Sequence, residues 1–79
     1  MPTVLRINGY RFFFYSNENL EPPHIHVEKA DSSAKYWLEP ISVAENYGFS
    51  SKDTSFIRET ITNNIELFKK AWYEHFSQQ

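Results

Sequence analysis

Between residues 51 and 76 the chain contains neither glycine nor proline, and Ile57, Ile61, Ile65, Phe68, Trp72 and Phe76 recur there at spacings of 4, 4, 3, 4 and 4. That spacing lines one face of an α-helix. A large share of the chain is therefore committed to an amphipathic helix that must find an apolar surface to cover. Ser50, with Asp53 three residues on, forms an acidic variant of the capping box and marks where the helix begins. Glu66 and Lys70 add a favourable i,i+4 pair on the exposed side. The pattern predicts one helix over 51–77, about 26 residues and roughly 39 Å long. Strands of six or seven residues span only about 20–24 Å, so such a helix is expected to overhang its sheet.

The surface it covers is predicted to be built from two hairpins. Residues 3–7 and 10–16 read as strands around Asn8-Gly9, a pair that tolerates the positive φ of a type I′ turn. A two-residue loop sets Ile7 opposite Tyr10, Arg6 opposite Arg11, Leu5 opposite Phe12, Val4 opposite Phe13 and Thr3 opposite Phe14. Thr3, Leu5, Ile7, Tyr10, Phe12 and Phe14 then share an apolar face. Asn17 to Pro23 reads as a loop stiffened by Pro22-Pro23. Residues 24–29 and 34–39 read as the next strands, joined through a turn at Ala30-Asp31-Ser32-Ser33. An even loop pairs Glu28 with Lys35, Val27 with Tyr36, His26 with Trp37, Ile25 with Leu38 and His24 with Glu39. An odd loop would set apolar residues against polar ones. Residues 41–44 fit a short edge strand, and Asn46-Tyr47-Gly48 a turn.

The resulting expectation is an α+β fold over residues 1–79 as a single domain. An antiparallel four- to five-stranded sheet of two hairpins has one face under a long C-terminal helix and the other face open, as antiparallel sheets permit. Aromatic residues make up 18% of the 79 residues, and each buries a large area. That matters in a chain without a single cysteine, where neither a disulfide nor a Cys-based zinc site can brace the fold. The N-terminus lacks a basic region followed by an apolar run. No stretch approaches the roughly 20 apolar residues of a membrane helix, so the expected location is cytoplasmic, with no membrane contact. A net charge of −2 argues against generic charge-driven nucleic-acid binding, leaving at most a local patch.

The open face carries the chemistry. It is expected to gather Arg6, Arg11, His24, His26, Glu28, Lys35 and Glu39 with Phe13, Tyr15 and Trp37. The Arg6–Arg11 pair sets like charges across a ladder. Both guanidinium groups either splay into water, find Glu28 or Glu39, or clamp an anion such as phosphate. His24 and His26 have three readings. They can pack against Trp37 and bond to Glu39 or backbone. With Glu28 they can offer a metal an N,N,O face. They can also act as acid and base, with an arginine stabilising developing charge, in metal-independent cleavage of RNA. The sequence shows no further clear metal ligand and calls for no cofactor, and the charge pairs of Glu28 and His24 weaken the metal reading. His75 lies in the last helical turn, where a cation complements the helix dipole.

The segments from Gly9 to Ser16 and from Glu21 to Val27, the latter containing Pro-Pro-His-Ile-His-Val, resemble a small bacterial family, domain of unknown function 4160. Ala34 to Pro40, Gly48-Phe49-Ser50 and Ala71 to Phe76 are similar to it as well. The resemblance spans essentially the whole chain. Members often look like one half of a two-gene, toxin–antitoxin-like pair, which implies a small protein partner encoded by a neighbouring gene.

Three functions follow as expectations. The first is a toxin-like effector acting on RNA or translation, with His24 and His26 catalytic and Arg6, Arg11, Phe13, Tyr15, Glu28, Lys35 and Trp37 binding. The second is a non-enzymatic protein-binding or regulatory module, with a homodimer through the overhanging helix as one variant. The third is a His-x-His metal-binding protein.

Overall fold

The computed structural model describes residues 3–15 and 20–76. It is an α+β fold whose five strands, β1 (Thr3–Ile7), β2 (Tyr10–Phe13), β3 (His24–Lys29), β4 (Ser32–Leu38) and β5 (Ile41–Tyr47), form one antiparallel sheet in the order β1-β2-β3-β4-β5. Two helices follow, α1 (Ser51–Asn63) and α2 (Ile65–Phe76). Among the described residues no helix is long and apolar enough to cross a membrane.

The first hairpin turns at Asn8 and Gly9, with φ of 50° and 86°, the positive pair a type I′ turn requires. Ile7–Tyr10, Arg6–Arg11 and Leu5–Phe12 pair as the two-residue loop dictates, but a bulge at Val4 then sets Thr3 opposite Phe13. The expected Val4–Phe13 and Thr3–Phe14 pairs do not form. The extra residue lets Val4 and Leu5 both pack against the core and moves Thr3 onto the open face, a common use of a bulge. β2 stops at Phe13, although Phe14 stays buried beneath the helices. The expected end of this strand at Ser16 falls outside the described residues.

β3 and β4 keep the expected parity, so their side chains alternate as expected, although His24 at the start of β3 is buried against Trp72 of α2. The register is displaced by two: His24 faces Trp37, Ile25 faces Tyr36, His26 faces Lys35, Val27 faces Ala34 and Glu28 faces Ser33. The loop is two residues rather than four, with Ala30 accepting a φ of 54°. A left-handed alanine costs roughly 1–2 kcal/mol, set against two further residues drawn into the ladder at Ser32 and Ser33. The expected Glu28–Lys35 and His24–Glu39 pairs are replaced by other partners. β5 also runs to Tyr47, well past the short strand expected.

The expected single helix is two. Asn64 sits between them at φ −123° and ψ 22°, and its side-chain amide donates to the Thr60 carbonyl at 2.8 Å. This local bond lets Asn leave the helical conformation at modest cost. Ser50 caps α1 as anticipated: its hydroxyl accepts from the Asp53 amide at 3.2 Å, and Asp53 accepts from the Ser50 amide at 3.3 Å. Ile57, Ile61 and Phe68 are fully buried. Phe68 stacks on Phe12 at 5.5 Å, and Trp72 and Phe76 each lie 5.6 Å from Phe14. The apolar stripe thus meets the sheet down to its last member, and the overhang expected of one long helix does not arise. Among the described residues no helix covers the other sheet face.

Candidate functional site

β2 pairs with β3, so both hairpins contribute to one open face and all the expected binding residues share it. The registers place Arg6, Arg11, Glu28, Ser33 and Tyr47 in one row across the strands, and Thr3, Phe13, His26, Lys35 and Glu45 in the next. His24, Trp37 and Ser42 begin a third. Glu39 leaves this face. It sits in the β4–β5 turn, accepts from the Tyr73 hydroxyl at 2.7 Å and lies 3.6 Å from Lys69 on α2. The Tyr73 phenol is raised by that carboxylate.

The centre of the face is aromatic. His26 is half-buried. It stacks on Phe13 with ring centroids 5.5 Å apart and meets Tyr15 edge-on at 4.9 Å and His24 edge-on at 5.1 Å. Phe13 is buried and Tyr15 exposed. His26 was expected opposite Trp37; the two-residue slip brings Lys35 there instead.

Around this cluster Arg11 and Lys35 are matched by carboxylates. Arg11 donates to Glu28 at 2.8 Å and to the Thr3 hydroxyl at 2.9 Å, and its guanidinium lies 4.2 Å above Phe13. That arrangement explains why Arg11 tolerates Arg6 opposite: it is turned toward β3 and its charge is compensated. Arg6 is exposed and makes no ion pair among the described residues. Lys35 pairs with Glu21 at 2.5 Å and lies 4.6 Å over the Trp37 ring. In the sequence Glu21 stands only as a residue of the loop ahead of β3. A contact across fourteen positions, made by a loop ahead of β3, leaves no local pattern to find it by.

His24 differs from His26. It is fully buried between Trp37, at 5.6 Å, and Trp72 of α2, at 4.8 Å, and its Nδ1 donates to the Pro22 carbonyl at 3.0 Å. An acid–base pair needs both imidazoles at the substrate, and only His26 reaches the surface. Nor do the described residues hold any group of three His, Cys, Asp or Glu side chains arranged for a metal ion.

The extension of β5 completes a cleft of about 340 Å³ on this face, in which Glu45 and Tyr47 stand across from Phe13, Tyr15, His26 and Glu28. Asn46-Tyr47-Gly48 reads locally as a turn, which hides the strand that carries Glu45 and Tyr47. Chemically the face offers an exposed tyrosine pair, one surface imidazole, two compensated cations in Arg11 and Lys35, and Arg6 at its edge without an ion pair among the described residues. Among the described residues it brings together no complete constellation for nucleophilic or acid–base catalysis.

No curated protein and no solved structure matches the chain. The family model described as Domain of unknown function (DUF4160) matches residues 9–73, a span that runs from the first turn through the open-face residues of β2 to β5 to Tyr73 of α2 and leaves out β1 with Thr3 and Arg6. The chain belongs to the DUF4160 family.

Proposed function

We propose that this chain is a non-enzymatic protein-binding module, one member of a toxin–antitoxin-type gene pair, which docks the small protein encoded beside it on the open sheet face. The supporting observation is the charge arrangement there. Arg11 is matched by Glu28 and Lys35 by Glu21 around the cluster of Phe13, Tyr15 and His26. An aromatic centre ringed by satisfied polar groups is the pattern of a protein interface, where buried aromatic anchors dominate binding. An RNA site needs cations left over for phosphates, and their neutralisation dominates affinity. Here the cationic side chains of the centre are already compensated, and the whole chain carries a net charge of −2.

The toxin-like effector acting on RNA or translation is the competing reading, and on this face it would depend on His26 and Arg6. The test is calorimetry of the purified chain with the neighbouring gene product, beside fluorescence anisotropy with single-stranded RNA. The docking reading expects binding to the protein that Tyr15→Ala weakens at least tenfold, and no saturable RNA binding at 150 mM salt. RNA binding lost in Arg6→Ala, with no binding to the protein product, would overturn it in favour of the effector.

A further inference from the structure

A second cleft lies on the opposite side of the sheet from the docking face. Its volume is about 340 Å³, and it is bounded by Tyr36 of β4, Val43 and Asn46 of β5, and Thr54, Ser55 and Arg58 of α1. The size falls at the small end of ligand pockets.

Its polar groups are not equivalent. Asn46 is engaged through both ends of its side-chain amide: Nδ2 donates to the Phe49 carbonyl at 3.2 Å and Oδ1 accepts from the Phe49 amide at 3.1 Å, holding the β5–α1 loop in place. Thr54 donates to the Ser51 carbonyl at 2.9 Å. Arg58 spends one nitrogen on the Ile41 carbonyl at 3.2 Å, which holds the side chain across the edge of β5. The remaining guanidinium donors stay available.

Tyr36 is the informative residue. Only 2% of it is exposed, and its hydroxyl has no hydrogen-bond partner among the described residues. A buried tyrosine usually finds one. That hydroxyl is not sealed in the core either: it is not among the enclosed polar atoms that lack a partner, and the residue borders the cleft. Burial raises the phenol above its ordinary value, while Arg58 pulls the other way. The group is therefore a neutral O–H donor at physiological pH.

We infer that this cleft binds a small carboxylate, held by Arg58 and by the Tyr36 hydroxyl, with Ser55 at its mouth. Both anchoring groups donate, and among the described residues no acidic side chain lines the cleft, so the fitting ligand is an anion rich in acceptors. A guanidinium fork matches the two coplanar oxygens of a carboxylate. Val43 supplies an apolar wall for whatever carbon skeleton follows. Free carboxylic acids and peptide C-termini carry the same group.

The experiment is a titration of the ¹⁵N-labelled chain, followed by amide chemical shifts, with acetate, acetyl-Gly-Gly, its C-terminal amide and inorganic phosphate. The expected result is saturable shifts at Asn46, Thr54 and Ser55 with acetate or acetyl-Gly-Gly but not with the amide. Equal binding of the two acids assigns the site to free carboxylates; binding of acetyl-Gly-Gly alone assigns it to peptide C-termini. Tyr36→Phe should weaken binding by about tenfold or more, as for a hydrogen bond to a charged group, and Arg58→Gln should abolish it. Because the hydroxyl has no partner among the described residues, Tyr36→Phe should leave the melting temperature unchanged. The inference is overturned by the absence of saturable shifts up to 20 mM, by binding of phosphate alone, or by binding that both variants retain in full.

Discussion

Replacing Phe68 by alanine tests how α2 is seated after the break at Asn64. Phe68 is fully buried and stacks on Phe12, which is fully buried too. Truncating a buried phenylalanine costs about 3–5 kcal/mol, the lost transfer energy plus the cavity left behind. At 0.05–0.15 kcal/mol per residue, a domain of 79 residues has about 4–12 kcal/mol in total. Phe68→Ala therefore removes a quarter of the stability at the least. With about 4–8 °C per kcal/mol for a domain of this size, the melting temperature should fall by about 12–40 °C. Leu67, its neighbour, is 43% exposed, and Leu67→Ala should stay within about 0.5 kcal/mol of wild type. Thermal unfolding followed by circular dichroism measures both. Equal losses in the two variants, or a loss below about 1 kcal/mol for Phe68→Ala, would show that α2 presents a different face to the sheet.

Other expectations concern the joints between elements. The Asp53 carboxyl is held below its ordinary value, first by the Tyr10 hydroxyl at 2.6 Å and then by the Ser50 amide. A depressed carboxyl stabilises the fold above its unfolded value of about 3.9, and that stability is lost as the pH falls through the folded value. Tyr10→Phe should accordingly lower the urea midpoint at pH 7, and its deficit should shrink toward pH 2; a deficit independent of pH would refute the coupling. Ser50→Ala removes the cap of α1 and should cost about 1 kcal/mol in the same assay. Gly48 has a φ of 99°, and a Cβ there would lie 2.7 Å from the Ser32 hydroxyl oxygen. Gly48→Ala should cost about 1–3 kcal/mol by urea unfolding, and a neutral result would mean that the β5–α1 turn has another shape.

What the residues disclosed in advance was mostly parity and faces. Asn8-Gly9 announces its turn, and alternation places Ile25 and Val27 beneath the helices with His26 and Glu28 outward. Registers were less legible, because two- and four-residue loops share a parity and Ala30 carries no mark of its positive φ. The pairs expected from that register, Glu28–Lys35 and His24–Glu39, gave way to Arg11–Glu28, Lys35–Glu21 and Tyr73–Glu39. Each of these contacts joins separate elements or a distant loop, which local pattern does not encode. His24 is enclosed by Trp72, nearly fifty positions away, so its loss from the surface depends on where α2 comes to rest. Asn64 carries only a mild helix penalty; its bond to the Thr60 carbonyl is what turns that penalty into a break. The candidate face was legible as a set of residues, while its charge balance emerged only with the fold.

The central proposal is that the open sheet face docks a small protein partner. The most direct measurement is the amide shift map of the ¹⁵N-labelled chain on addition of the unlabelled neighbouring gene product. Docking at the open face predicts that the largest perturbations fall on Phe13, Tyr15, His26, Lys35 and Glu45, and that they collapse in Tyr15→Ala. Perturbations concentrated on the outer faces of α1 and α2, with these residues unmoved, would contradict it.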